Sequence, residues 1–458
     1  MPVAGLNDDV VFARADFARR LLAMCGIDGA IGWTAAARVW SVVAGPLTLV
    51  VIATSLTPEQ QGFYYTFGSV VALQIFFELG LAYVVQNFTS HEKAFLEWRP
   101  GGTISGSEVR KGRIAALLRK SLWWYGVASV LLTVSLIIGG TFFFGQRLAS
   151  GAAWWGPWIA TVVFACASLV MSPIFAVLEG CGAVLDVARM RTGQAIVSSL
   201  AAWTVLLGGG GLWASPAISA AGLAVGATWL LIGQRRFLFD LIATAGTISW
   251  REEIWPFQWR IALSFASGYF IFQLFTPVLF VHHGAAAAGQ MGMSLAVVSA
   301  LFAVSMSWVT TKAPAFGERI SRGNFVALDA LFFAAMWRAL AVMTLGSAAF
   351  FAAVVALGVI DHPWSRCFLE PLPLGLLIVA TLMNHVVFAE SVYLRAHKRE
   401  PFLSISVANA LTVGASTLFL GRGFGATGMM TGFLGATAIL SLGGGTWIFI
   451  VKRRSWHG

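Results

Sequence analysis

Residues 38–92 read RVWSVVAGPLTLVVIATSLTPEQQGFYYTFGSVVALQIFFELGLAYVVQNFTSHE. Two apolar segments, 32–54 and 63–88, are each long enough to cross a bilayer core, which takes about 20 residues of helix. They make a transmembrane hairpin. The turn between them, Pro58-Glu59-Gln60-Gln61-Gly62, carries no Lys or Arg, while the flanks on the other side are rich in both. The turn is therefore predicted to face away from the cytoplasm. Arg38 and Glu78 lie inside the hairpin. A charge at the centre of a membrane helix costs about 2.5–3.5 kcal/mol on insertion scales, so such residues face a protein interior or a watery cavity.

The rest of the 458-residue chain agrees. With 58% apolar residues, 11% charged residues and a mean hydropathy of +0.79, it is not a soluble globule but an all-α, polytopic membrane protein. A formal net charge of +10 raises the question of nucleic acid, but the positions of the basic residues make it a topology signal, and no nucleic-acid partner is expected. Cys25, Cys166, Cys181 and Cys367 show no paired spacing, so neither a disulfide nor a metal site is read, and no cofactor is expected. The first long apolar stretch begins near residue 31 and has the length of a spanning helix, unlike a cleavable signal peptide.

Along the chain, residues 1–30 are predicted as a cytoplasmic interfacial segment, in which Val10, Phe17, Leu21 and Met24 share one helical face. Apolar segments follow at 122–144, 157–178, 191–209 and 213–234, completing an N-terminal six-helix lobe, 31–234, whose last pair is joined at the Gly208–Gly211 run. A polar linker, 235–256, leads to segments near 257–281, 290–311, 331–358, 372–394, 402–420 and 426–451, a C-terminal six-helix lobe within 257–458. That makes about twelve spans with both termini inside. Of the 30 Lys and Arg residues, the outward loops then hold only Arg147, Arg366 and Arg422. Trp123, Trp124, Trp154, Trp155, Trp158, Trp213, Trp255 and Trp259 fall near span ends, as interfacial anchors do.

The halves look related. Arg38 has a counterpart in Arg260, and QQGFYYTFGSVVALQIFFELG (60–80) can be laid beside AGQMGMSLAVVSALFAVSMSW (288–308), shifted by one residue, which pairs Gly62 with Gly289 and Glu78 with Ser305. Each half starts on the same side, so the repeat is parallel, with a pseudo-two-fold axis along the membrane normal. The Arg38-to-Gly80 hairpin, the Leu178-Glu179-Gly180-Cys181-Gly182 turn and the passage WVTTKAPAFGERISRGNFVALDALF after the eighth span carry a resemblance. The chain resembles the multidrug/oligosaccharidyl-lipid/polysaccharide exporter superfamily, and within it the Wzx-type polysaccharide and O-antigen flippases. That resemblance implies two lobes around a cleft opening alternately to each side of the bacterial inner membrane, and a polyprenyl-pyrophosphate-linked oligosaccharide as cargo, with membrane lipid and polysaccharide assembly proteins as partners.

Arg38, about six residues or roughly 9 Å into its span, either snorkels to the headgroups or, with Arg260, lines the cleft and attracts the pyrophosphate through a fork that makes two parallel hydrogen bonds. Arg338 and Lys312 are weaker candidates for the same role. Glu78 is too deep to reach headgroups, and Gln74, Ala82 and Gln86 continue its helical face as a polar stripe. It is either the structural partner of Arg38 or a cavity carboxylate that takes up a proton or cation. In the tenth span Asn384 and His385 lie near the middle and Glu390 nearer the inner end. Pro46, Pro173 and Pro277 mark places for kinks.

Three functions are weighed. A lipid-linked oligosaccharide flippase would capture the pyrophosphate on cytoplasmic-side arginines and pass the sugar through the cleft; an inside-negative potential favours outward movement of an anion by about 2.3 kcal/mol per charge per 100 mV. It needs no nucleotide, and the sequence has no GxxxxGK[ST] motif. A cation-coupled multidrug exporter of the same superfamily would want acidic residues in the cleft. A membrane-embedded polymerase or ligase would want chemistry on outer loops, which here are short and poor in acidic residues, His and Lys. No catalytic residues are assigned.

Overall fold

The computed structural model describes residues 29–99, 101–145, 153–397, 399 and 401–457, without the side chains of 29–39, 41, 42, 314 and 321. The predicted interfacial helix at 8–25, Cys25 and Arg147 lie outside the described residues. The opening hairpin forms. α1 (Gly29–Ser55) runs through Pro46 without a break. At the turn, Thr57 caps α2 (Pro58–Val71): its Oγ1 accepts from Gln60 N at 3.3 Å, and Gln60 Oε1 accepts from Thr57 N at 3.1 Å. This reciprocal capping box, with proline at the first helical position, fixes where the second helix starts.

The second span is not one helix. A 3-10 turn, Ala72–Gln74, leads into α3 (Ile75–Glu78), after which Leu79 and Gly80 are both left-handed, with φ of 51° and 61°. α4 (Leu81–Lys93) leaves at 46°. The predicted polar loop that follows contains a two-stranded antiparallel hairpin, β1 (Leu96–Arg99) and β2 (Thr103–Gly106), in which Trp98 faces Ile104. α5 (Glu108–Gly145) has 38 residues, roughly 57 Å at 1.5 Å per residue, and so extends well past a ~30 Å hydrocarbon core.

Two further spans break where proline cannot donate to the residue four before it. α6 (Trp155–Leu169) stops and α7 (Ser172–Gly180) restarts at Pro173. α11 (Trp255–Phe272) and α12 (Phe275–His283) meet at 41° just before Pro277. Between these pairs lie α8 (Val184–Leu207), the glycine turn with Gly209 and Gly211 at positive φ, α9 (Ala214–Thr228) and α10 (Arg235–Ala243). The remainder comprises α13 (Ala285–Thr310), α14 (Ala313–Ser321), α15 (Phe325–Val359), α16 (Pro371–Ala396), α17 (Leu403–Ala436) and α18 (Gly445–His457). Within α17 the chain reverses at Gly425, φ 60° and ψ −144°. Added Cβ atoms at Gly421, Gly428 and Gly432 would strike Met429, Leu420 and Ser416, so the two arms run closely antiparallel.

By length and apolarity, seven helices among the described residues can cross a membrane, or up to nine if each bent pair counts once. The difference from the expected twelve or so lies in three segments. α1 enters only as Val43–Ser55, α8 is not among the seven, and Leu403–His457 is a single 55-residue path folded at Gly425.

Helices of the first half pack mainly on one another, α1 against α8, α8 against α9, and α9 against α6; in the second half α13 packs on α15 and α17 on α11, α12 and α16. Their most extensive mutual contact is α2 against α13. A Cβ on Gly62 would stand 1.9 Å from the Ala285 carbonyl oxygen, and one on Gly289 would stand 2.9 Å from Gly62 N. Beside this crossing lie Phe63, Phe67, Phe144, Trp154, Trp158 and Phe280, all buried, with Phe63–Phe280 centroids at 4.9 Å and Phe144–Trp158 at 5.0 Å. Trp154 and Trp158 are thus core residues rather than interfacial anchors. Gly140 leaves the room Trp158 occupies, and the Leu136 carbonyl accepts its indole N–H at 3.2 Å.

The opposite end holds the basic residues, and much of their charge is used internally. Glu92, almost fully buried, accepts from Arg110 and Arg113 at 2.9 Å each. Arg113 also pairs with Glu253, and Lys111 with Asp240 at 2.9 Å. Arg119 donates to the carbonyls of Thr244 and Gly246, and Lys120 to that of Ile248. The predicted linker 235–256 therefore lies along α5 between Asp240 and Glu253. On the second half, Arg453 of α18 pairs with Asp329 of α15, which also accepts from the Tyr393 hydroxyl at 2.6 Å.

Candidate functional site

Irregular backbone inside a membrane is tolerated where it borders a cavity or is buried in protein. The breaks at Glu78–Gly80 and Leu169–Ser172 border the same one. A chamber of about 520 Å³ is lined by Gln74 and Glu78 from the first break, Ser168 and Ser172 from the second, and Gln194, Ser198 and Ser219 from α8 and α9. The first break is held by its tertiary neighbours. Gly80 is required because α11 passes over it: a Cβ there would lie 2.5 Å from Ile261 Cγ2. The Phe77 carbonyl accepts from the Trp124 indole N–H at 3.0 Å.

A second chamber, of about 440 Å³, is lined by Trp40 and Thr48 of α1, Tyr64 and Tyr65 of α2, Ser199 of α8, and Ala296 and Ala300 of α13. Both chambers include Ala195, Ser198 and Ile218, so they join side by side. Each falls in the ~300–1,000 Å³ range of small-molecule sites. Their chemistry differs. The first offers amides, hydroxyls and one carboxylate; the second offers aromatic faces. Gln194 Nε2 donates to the Gly222 carbonyl at 2.8 Å, and Ser198 Oγ to that of Ile218 at 3.1 Å. These bonds fix α8 to α9 and leave the Gln194 amide oxygen as an acceptor for a guest. Trp203 Nε1 donates to Thr48 Oγ1 at 2.9 Å. The Trp40 ring lies tilted at 36° to that of Trp203, centroids 6.0 Å apart, and its own indole N–H is buried without a hydrogen-bond partner.

Of the predicted site residues, Gln74 and Glu78 share the first chamber. The stripe does not continue to Gln86, because the left-handed pair at Leu79 and Gly80 changes the helical register. Arg38 lies on α1, with its side chain outside the described residues. Arg260 and Arg338 are exposed on α11 and α15 and line neither chamber; the Arg260 guanidinium sits 5.5 Å from the Trp259 ring centroid. Asn384 reaches Thr437 Oγ1 at 3.5 Å. His385 is fully buried, 3.0 Å from Ser305 Oγ and edge-on to Phe302. These two belong to the interior of the second half, as does Glu390, which accepts from Thr446 at 3.2 Å. Trp40, Tyr64, Tyr65, Gln194 and the serines were not singled out from sequence. The one signal available was Gln194, an amide early in an otherwise apolar run. Among the described residues, no group of three His, Cys, Asp or Glu side chains is placed to hold a metal ion.

No protein-family model matches this sequence, and no curated protein matches it. Solved structures do. A multidrug resistance MATE family transporter of the MOP superfamily in its inward-facing conformation superposes with a TM-score of 0.61 at 12% identity, over 93% of this chain and 98% of that one. The lipid II flippase MurJ in an inward closed conformation gives 0.62 at 10%, over 92% and 87%. The MATE multidrug transporter DinF-BH gives 0.54 at 14%, over 95% and 96%. At these identities the likeness is one of fold, and it extends over nearly the full length: this chain has the fold of the MOP-superfamily transporters.

Proposed function

We propose that this protein moves a polyprenyl-pyrophosphate-linked oligosaccharide across the bacterial inner membrane, with the glycan in the joined chambers, the lipid tail left in the bilayer and both termini cytoplasmic. The supporting observation is the lining. Aromatic faces at Trp40, Tyr64 and Tyr65 stand beside amides and hydroxyls at Gln74, Gln194, Ser168, Ser172, Ser198 and Ser219. Pyranose rings present apolar C–H faces and a rim of hydroxyls, and that combination matches stacking surfaces next to hydrogen-bonding groups. Residues 31–234 and 257–458 would act as two lobes. They part at the α2–α13 crossing when the cargo is released.

A second reading, cation-coupled export of drugs, is favoured by one observation: the charged residue lining the first chamber is Glu78. The test is outward movement of a pyrophosphate-linked oligosaccharide in proteoliposomes, with Arg38→Ala and Glu78→Gln beside the wild type. Wild-type movement of the lipid supports the flippase, and its loss in Arg38→Ala assigns the anion site. No movement of such a lipid, with export of cationic dye that depends on Glu78, replaces the flippase by the drug exporter.

A further inference from the structure

We infer that the glycan taken into the joined chambers is built of neutral or amino-bearing sugars, and that acidic sugars are excluded. The inference rests on the flippase reading and adds a charge class to its cargo. Among the described lining residues of both chambers there is no Lys, Arg or His, and Glu78 is the one carboxylate. A uronate placed here would lose water and meet no cation among the described lining residues, a situation that strongly disfavours the charged form. Glu78 would add either repulsion or, if protonated, a single hydrogen bond. The second chamber points the same way, since the faces of Trp40, Tyr64 and Tyr65 carry negative quadrupole charge, which attracts ammonium groups and repels carboxylates.

Hydrogen-bonding capacity agrees with this charge pattern. Ser198 spends its hydroxyl proton on the Ile218 carbonyl and Gln194 one of its two amide protons on that of Gly222, so toward a guest both present an oxygen acceptor and Gln194 keeps a second N–H. An amine or hydroxyl donates to oxygen, whereas a carboxylate cannot. The remaining donors are uncharged, among them the unpartnered Trp40 indole N–H and the Gln74 amide, and serve neutral ring or hydroxyl oxygens. By the same chemistry the pyrophosphate, itself an anion, stays outside these chambers while the sugars occupy them.

The experiment is saturation-transfer NMR on the purified full chain in nanodiscs, with three trisaccharides as probes: tri-glucosamine, tri-N-acetylglucosamine and tri-galacturonate. The expected result is binding of the first two, with the galacturonate at least about tenfold weaker. Glu78→Gln should remove the preference for the amine over the N-acetyl sugar, and the N-acetyl sugar, still bound, reports that the variant is folded. Gln74→Lys, one turn from Glu78, should raise galacturonate binding. If the galacturonate binds as well as the others, or the order is unchanged in both variants, the inference is overturned while the glycan site stands. If no trisaccharide binds and a cationic rhodamine dye does, in a manner abolished by Glu78→Gln, the flippase reading falls and takes the inference with it.

Discussion

Gly62→Ala tests how the chain closes one end. The methyl group would arrive 1.9 Å from the Ala285 carbonyl oxygen, 2.5 Å from its carbon and 2.9 Å from its Cα. All three are backbone atoms, so no rotamer change relieves them. Reaching a contact of about 3.5 Å requires α2 and α13 to separate by roughly 1.5 Å. Overpacking of this kind costs about 1–3 kcal/mol, which shifts an open-to-closed ratio about 5- to 150-fold toward open. The chain carries its own reporter. Cys367 is buried at this end, with Gln61, the neighbour of Gly62, placing its amide 3.7 Å from the sulfur. Alkylation of Cys367 by a membrane-impermeant maleimide, read by peptide mass spectrometry, should be faster in Gly62→Ala by a factor in that range. Gly68→Ala on the same helix is the control, because a Cβ there meets nothing within 4 Å. Wild-type alkylation and melting in Gly62→Ala would refute the reasoning, since the helices would then not be held at the separation described.

Glu92→Gln removes the carboxylate shared by Arg110 and Arg113; because both guanidiniums keep partial hydration, the loss should be about 1–3 kcal/mol, seen as a lower melting midpoint, with Glu97→Gln on the exposed hairpin unchanged. Gly425→Ala places a side chain in backbone space that is essentially glycine-only and should cost about 1–3 kcal/mol; Gly435→Ala, with open space around it, should melt as the wild type does. Asp329→Asn weakens the hold of α15 on Arg453, and trypsin cleavage after Arg453 and Arg454 should accelerate. An unchanged cleavage rate would mean that α18 is kept in place by its apolar contacts alone.

What could be read from sequence follows from which physical signals are local. Spans declare themselves by apolar length, and the breaks at Pro173 and Pro277 by a missing donor. The break at Leu79–Gly80 has no such signal. Leu79 at φ 51° is held by tertiary neighbours, α11 over Gly80 and Trp124 on the Phe77 carbonyl, so the Gln74–Glu78–Gln86 stripe could be followed only to Glu78. Basic residues carried the expectation of sidedness, but not that Glu92, Asp240 and Glu253 occupy several of them. Depth in a span was also an incomplete guide to the site. It found Gln74 and Glu78, which line the chamber, together with Asn384 and His385, which do not. It could not find Gln194, whose role comes from the α8–α9 pairing. Nor could spacing along the chain place Arg260 and Arg338 relative to a chamber built by other helices.

The pairing of Gly62 with Gly289, and of Glu78 with Ser305, bears on how the proposed lobes share work. In a parallel two-fold repeat, a residue meets its own counterpart only on the axis. Gly62 and Gly289 do meet, with the Cβ position of one 2.9 Å from the backbone nitrogen of the other, which supports an axis through the α2–α13 crossing. Away from the axis, equivalent positions are free to diverge, and the second pair has diverged. Ser305 is fully buried, donates to the Phe302 carbonyl at 3.0 Å and touches His385, so it packs the second half, while Glu78 faces the chamber of the first. Cargo recognition would then be concentrated in one half, with closure shared by both. The consequence is specific: a Cβ on Gly289 would meet Pro58 O at 2.8 Å, so Gly289→Ala should raise Cys367 alkylation as Gly62→Ala does, without touching either chamber. If only one of the two glycine variants opens that end, the crossing is not an axis of closure, and the two halves do not part symmetrically about it.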